Sequence, residues 1–215
     1  LYRPYKPKRR TRASIAREKG LEPLAQLLFA QTPDCPAPEA AALEYLDAEK
    51  GVETVEDALA GASDIVAEAV SDDASIRKAL RDLMQRRAVL RTQVVKGKEE
   101  TSVYQTYYDF TQPLAKAQGH QILAVNRGER EGFLKVSVEI DREQALICVR
   151  RAVLIPGSAA TDFVRAAAED AYDRLIAPSI ERECRAALSD AANEGAIHNF
   201  ALNLRPLLMQ PPVRG

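Results

Sequence analysis

Tyr5-Lys6-Pro7-Lys8-Arg9-Arg10-Thr11-Arg12-Ala13-Ser14-Ile15-Ala16-Arg17-Glu18-Lys19-Gly20-Leu21-Glu22-Pro23-Leu24 carries a backbone plan and a charge bias together. Pro4 and Pro7 hold Arg3 and Lys6 in extended backbone. Thr11 is a suitable N-cap, and Arg12 to Lys19 contains good helix formers. Gly20 suits the left-handed position just past a helix end. Pro23 falls in the first turn of a second helix, where its missing N–H costs nothing. The plan is an extended basic arm, a short helix, a tight turn and a second helix. It fits a helix–turn–helix and equally any helical hairpin.

Residues 1–20 hold eight basic side chains (Arg3, Lys6, Lys8, Arg9, Arg10, Arg12, Arg17, Lys19) and one acid, Glu18, a balance of +7. The whole chain has 30 basic and 31 acidic residues, so residues 21–215 carry 22 and 30, or −8. A basic arm on an acidic body can bind phosphates or dock on its own acidic surface. The residues alone leave both readings open. Lys6, Lys8, Arg9, Arg10, Arg12 and Arg17 lie within twelve positions and are the candidate phosphate contacts.

Tyr5-Lys6-Pro7-Lys8-Arg9-Arg10-Thr11, followed by Ile15-Ala16-Arg17-Glu18-Lys19-Gly20-Leu21-Glu22-Pro23-Leu24-Ala25, resembles the Tex family of bacterial transcription accessory proteins. The likeness recurs in Asp109-Phe110-Thr111-Gln112-Pro113-Leu114-Ala115 and in His120-Gln121-Ile122-Leu123-Ala124-Val125-Asn126-Arg127-Gly128-Glu129. It returns in Tyr172-Asp173-Arg174-Leu175-Ile176-Ala177-Pro178-Ser179-Ile180-Glu181-Arg182-Glu183 and in Asn203-Leu204-Arg205-Pro206-Leu207-Leu208, where Pro206 departs from the family pattern. The resemblance implies a multidomain nucleic-acid-binding factor: a helical N-terminal region with a helix–turn–helix-like part, an RNase H-like domain, helix–hairpin–helix motifs and a C-terminal RNA-binding OB-fold. This chain is similar to the N-terminal helical region. The chain opens at Leu1 without a Met, and an excerpt from a longer protein is expected.

At 215 residues and 46% apolar composition the chain can bury a sizeable core. No run of about 18 apolar residues could span a membrane, and no apolar segment follows the N-terminal cations to make a signal peptide. Cys35, Cys148 and Cys184 are too scattered for a disulfide framework or a zinc site. A cytoplasmic location is the expectation.

Along the chain, Glu22–Gln31 reads as a helix with Leu24, Leu27 and Leu28 on one face. Pro38 to about Glu49 reads as another, ended by Gly51. Thr54, with Asp57 three residues on, caps a helix bearing Leu59, Ala62, Val66 and Val70. Asp72-Asp73 starts the next, whose apolar positions Ile76, Leu80, Leu83 and Leu90 extend it to Leu90. Lys96-Gly97-Lys98 is a break. Val103/Tyr107 and Tyr104/Tyr108 stand four apart and predict helix over Glu99–Phe110, with Tyr104, Tyr107, Tyr108 and Phe110 as a core or docking face in preference to a nucleobase platform. A loop begins at Gln112-Pro113, and Gly119–Gly128 reads as short and mixed. Phe133–Ile140 alternates as a strand, with no strong partner in view. Asp141 caps a helix to about Val153, and Thr161–Ala177 is the next. Pro178 starts the longest, to about Met209, a spine of about 45 Å at 1.5 Å per residue. Pro206 is expected to kink or end its last turn. The fold class is mostly α, with a helix–turn–helix-like part, one short β element and a long C-terminal helix. The expected division is 1–98 and 99–215.

No phosphate-binding glycine loop, nucleophile elbow or metal-spaced His pair occurs. His120 and His198 read as structural, and Asp72-Asp73 as helix-start acids. The expectation is a non-catalytic, monomeric scaffold with no cofactor and no metal. Its expected partners are RNA or DNA, RNA polymerase or other transcription machinery, and downstream domains of the same chain. The alternative is an accessory region of a nuclease-like enzyme.

Overall fold

The computed structural model describes residues 10–99 and 102–209. The arm cations Lys6, Lys8 and Arg9 and the closing Gln210-Pro211-Pro212 lie outside them. In chain order the helices are α1 (Arg12–Glu18), α2 (Glu22–Ala30), α3 (Pro38–Ala42), α4 (Val55–Asp72), α5 (Ala74–Arg87), α6 (Gly119–Arg130), α7 (Arg142–Val153), α8 (Thr161–Ala171) and α9 (Ala177–Leu208). The strands are β1 (Val89–Val94), β2 (Asp109–Pro113) and β3 (Leu134–Glu139). The chain forms two compact units, each made of two separated segments: the chain up to Ala79 with Glu143–Pro178, and Leu80–Arg142 with the chain from Ser179 onward. Lys98 and Glu99, where a division was expected, fall inside the second unit, between β1 and β2.

The first unit is helical and centred on α4, which packs against α1, α2, α3 and α8. Its start is specified as expected: Thr11 and Thr54 each cap a helix, and the Asp57 N–H donates to Thr54 Oγ1 at 3.1 Å. The α4 interior is built of small residues, Ala58, Ala62 and Ala67, beside Ile65, Val66 and Val70. Such residues let helix axes approach closely. Gly61 goes furthest, since a Cβ there would collide with Leu21 Cδ1. Leu24 and Leu28 of α2 are fully buried, each contributing about 1.5–3 kcal/mol. Leu27, expected on the same face, is exposed.

The helix expected to run from Pro38 to Glu49 stops at Ala42, and two 3₁₀ turns follow, Leu43–Tyr45 and Ala48–Lys50. Asp47 is the cause. Its carboxylate accepts the N–H groups of Glu49 and Lys50, and its backbone pairs with Val52 in an isolated bridge. A side chain competing for local N–H groups displaces the helix.

The second unit carries a three-stranded antiparallel sheet in the order β2-β1-β3. This corrects the expectation of one lone strand. β1 sits in the middle, with Thr92 opposite Phe110 on one side and Val136 on the other. Leu90, read as the last apolar position of a helix, is the first buried residue of β1, because α5 ends at Arg87. The segment read as helix over Glu99–Phe110 contains a 3₁₀ turn at Gln105–Tyr107 and the start of β2. Its tyrosine spacing reflects a folded-back turn: Thr92 Oγ1, fully buried, donates to the Tyr107 carbonyl at 2.5 Å. Gln112-Pro113, expected as loop, closes β2. The mixed segment after Gly119 is helix α6, where the Gln118 N–H donates to Gln121 Oε1 at 3.0 Å. Gly128 is there for space, since a Cβ would lie 2.6 Å from Leu134 Cδ1.

The longest helix is Ala177–Leu208, continuous through Gly195 and ending two residues after Pro206. The break expected before Pro178 is absent. A π turn over Tyr172–Ile176 stands there instead, with the Ala177 N–H donating to the Tyr172 carbonyl. A proline lacks one helical N–H and crowds the carbonyl four residues back, and a wider turn accommodates both. Ile180, Cys184 and Ala192 are buried, but every residue from Asn193 to Arg205 is exposed, including Ile197 and Phe200.

Candidate nucleic-acid interface

Among the described residues the candidate interface begins at Arg10 and the cap of α1. The Ser14 N–H donates to Thr11 Oγ1 at 3.0 Å, and the Thr11 N–H donates to Ser14 Oγ at 2.9 Å. This reciprocal cap gives α1 a defined start despite its length of 7 residues. The Thr11 hydroxyl also donates to Glu68 Oε2 at 3.0 Å, which ties the cap to α4. Gly20 takes φ 82° at the turn, as its position predicts.

The three described candidates are held differently. Arg17 Nη1 donates to Glu68 Oε1 at 2.6 Å, and its Nε lies 3.6 Å from Glu22 Oε1. The hydrogen-bonded Glu68 carboxylate raises the guanidinium above its ordinary range, so Arg17 stays charged. Arg10 Nη2 donates to Glu18 Oε2 with both side chains more than half exposed. Arg12 is exposed and makes no ion pair among the described residues. It lines a groove of about 240 Å³ between α1 and α4, with Lys19, Asp57 and Asp64 at its polar edge and Ile15, Ala16 and Gly61 at its floor. Lys19 Nζ donates to the Gly51 carbonyl at 2.8 Å, and Asp64 accepts from Arg174 Nη2 at 2.8 Å.

A helix–turn–helix reads bases from the N-terminal residues of its second helix. In α2 those are Glu22 and Pro23, and the exposed side chains Glu22, Pro23, Gln26 and Leu27 include no cation. The basic chemistry sits before and within α1, where it suits phosphates rather than base edges.

The aromatic cluster singled out in the sequence braces the second unit. Tyr104 is buried, and its hydroxyl donates to Glu131 Oε2 at 2.7 Å. Burial first, then Glu131, raises the phenol pKa above its ordinary value. Tyr107 meets Phe110 edge-on at 5.2 Å, and the Tyr108 hydroxyl donates to Ser102 Oγ. The contact of Lys98 Nζ over the Phe133 ring, 5.1 Å from its centroid, had no signal in the sequence because 35 positions separate the two residues.

Among the described residues no group of three His, Cys, Asp or Glu could hold a metal ion, and no helix is long and apolar enough to cross a membrane. The three cysteines are free. His120 is exposed beside α9, in a cavity lined also by Leu123 and Asn199.

Two helical segments joined by a glycine turn, a three-stranded sheet and a long closing helix make a mostly helical chain with a cation-rich start. The chain belongs to the Tex family: the Tex central region-like family model matches residues 34–200. It is 41% identical to the protein YdcI of Bacillus subtilis, over all of this chain and 30% of the relative. It is 37% identical to the transcriptional accessory protein Tex of Neisseria gonorrhoeae, over 99% of this chain and 28% of the relative. It is 30% identical to the human S1 RNA-binding domain-containing protein 1, over 99% of this chain and 22% of the relative. The chain thus spans less than a third of the length of these curated relatives.

Proposed function

We propose that this chain is a non-catalytic helical framework within a Tex-like transcription accessory protein, and that its basic start contacts nucleic-acid phosphates. The names of its relatives support the setting, one as a transcriptional accessory protein and one as an S1 RNA-binding domain-containing protein. The observation that carries the reading is the difference among the three described cations. Arg17 is committed to Glu68, a pair with side chains 36% and 25% exposed. Arg10 holds Glu18 only in an exposed pair, which solvent and salt screen and a phosphate can replace. Arg12 has no partner among the described residues. Lys6, Lys8, Arg9, Arg10 and Arg12 are then the phosphate contacts, and Arg17 anchors the helix that presents them.

The test is a titration of the chain with duplex nucleic acid at two salt concentrations, beside the triple variant Lys8→Ala, Arg9→Ala, Arg10→Ala. Three or four phosphate contacts predict a log–log salt slope of about −3 on duplex DNA, with little sequence preference. Equal binding by wild type and variant, or no binding at low salt, makes the arm structural.

A further inference from the structure

The two outer edges and two faces of the sheet are treated unequally. The outer edge of β3 is sealed by α9: the Val138 N–H donates to Glu181 Oε1 at 3.1 Å, and Arg185 Nη1 donates to the Val136 carbonyl at 3.4 Å. One face is buried, with Leu90 and Thr92 of β1 and Leu134, Val136 and Val138 of β3 turned inward. The alternate residues face out: Arg91 and Gln93 of β1, Asp109 and Thr111 of β2, Lys135, Ser137 and Glu139 of β3. This open face is polar, and one end of it is basic and aromatic.

Phe133 marks that end. Its carbonyl accepts the Val95 N–H at 2.9 Å, which places Lys96 beside it across the strands. Phe133 is half-buried, its ring tilted against Tyr104 at 5.6 Å on one side and covered by Lys98 Nζ at 5.1 Å on another. Arg127 and Arg130, in the last turn of α6, act electrostatically on the Tyr104 hydroxyl beside it. Lys135 follows two residues on, opposite Gln93 on the open face.

The acids near this end are hydrogen-bonded within the protein. Glu131 is taken by Tyr104 and Arg127, Glu129 by Arg185, and Glu99 accepts the Gly97 N–H. Lys96, Lys98, Arg130 and Lys135 make no ion pair among the described residues, and Glu100 lies outside them. Asp109 is an exposed acid across the sheet, opposite Gln93, while Glu139, farther along the face, pairs with Arg91 at 3.6 Å.

We propose that the end of the sheet at Phe133, with Lys96, Lys98, Arg130 and Lys135 around it, is a docking surface for a single strand of nucleic acid. Cations without an ion pair supply phosphate contacts, and the ring, once Lys98 moves off it, supplies a stacking platform for an unstacked base. A duplex offers no such base. In the free chain Lys98 shields the ring, and its flexible stem lets the ammonium move to a phosphate when a base takes its place. Its residues are not those of the arm, but the inference rests on the same nucleic-acid reading.

The experiment uses the whole chain and fluorescein-labelled oligouridylate and oligothymidylate, each about fifteen nucleotides long, beside a duplex of equal length. Binding is followed by anisotropy between about 50 and 200 mM salt. Both single strands are expected to bind, with a log–log slope from these four cations of about −2 to −3. The variant Lys96→Gln, Lys98→Gln, Arg130→Gln, Lys135→Gln, all at exposed positions, removes that slope with an unchanged circular dichroism spectrum. Phe133→Leu keeps an apolar group against Tyr104 and weakens single-strand binding about tenfold, leaving duplex binding alone. Asp109→Asn strengthens single-strand binding about twofold by removing the exposed acid. Photocrosslinks from oligouridylate map to the peptide containing Phe133. Unchanged single-strand binding by the four-site variant overturns the proposal, as does an absence of binding at low salt. If the arm variant loses duplex binding while the four-site variant keeps single-strand binding, the arm reading stands and the sheet-face proposal falls. If the arm variant keeps duplex binding while the four-site variant loses single-strand binding, the sheet face is the contact and the arm is structural.

Discussion

Gln31 is the residue whose removal tests the first unit most directly. It ends α2 in left-handed backbone, φ 47° and ψ 42°, and is 2% exposed. Its amide bridges two distant backbone groups: Nε2 donates to the Val153 carbonyl at 2.9 Å, and Oε1 accepts the Ile155 N–H at 3.0 Å. Gln31→Ala leaves both groups unpaired, each at about 1–3 kcal/mol. A loss of about 2–4 kcal/mol is expected once a little water enters. Gln31→Gly loses the same two bonds but relieves the left-handed backbone, and should recover about 1 kcal/mol relative to alanine. Urea denaturation compares the three proteins. Two units need not unfold in one transition, so amide exchange at Ile155 gives the local readout. Ile155 exchange should accelerate in both variants. An alanine variant within about 0.5 kcal/mol of wild type, with Ile155 still protected, would refute the bridge as a stabilising element.

Asp73 caps α5 by accepting the Ser75 hydroxyl at 2.5 Å and the Ile76 N–H at 3.0 Å, and these hold its carboxyl below the ordinary 3.8, the Ser75 hydroxyl first. Its folded pKa is depressed, so its contribution is full above about pH 4 and is lost as pH falls further. Asp73→Ala should cost about 1 kcal/mol at neutral pH and remove that share of the acid dependence, read by denaturation across pH. Gly128→Ala should cost about 1–3 kcal/mol by overpacking against Leu134 and Tyr104, and an unshifted urea midpoint would contradict it. Arg17→Ala should destabilise by about 1–2 kcal/mol through the bond to Glu68, while Arg10→Ala should leave the urea midpoint in place because its pair is screened by solvent; equal effects would undo the division of roles. Burial raises the Cys184 thiol, and burial likewise raises Cys148. Both should react slowly with a thiol reagent in the native chain and quickly once unfolded, and fast native labelling would contradict their placement.

Short-range rules determined much of this protein from sequence alone. Thr11, Gly20 and Pro23 place α1, its turn and α2 because caps, left-handed glycine and first-turn proline act over a few residues. Thr54 with Asp57 places the start of α4, and the acids Asp72-Asp73 that of α5, for the same reason. The family likeness was legible because it lies in runs of residue identity. What depends on partners far along the chain was not legible. β1 looks helical in sequence because Leu90 keeps the spacing of α5, and only pairing with Val138 and Gln112 makes it a strand. β2 hides behind the four-residue spacing of Tyr104 and Tyr108, although Val94 takes up the Tyr108 carbonyl. The candidate interface divides the same way. Its cations stood out by charge, but which were already held required Glu68, on α4, to come beside Arg17. Lys98 over Phe133 likewise exists only because the chain returns as β3. Local propensity is weak where contacts of long sequence separation decide the outcome, and in this chain those contacts make the sheet and sort the cations into paired and unpaired.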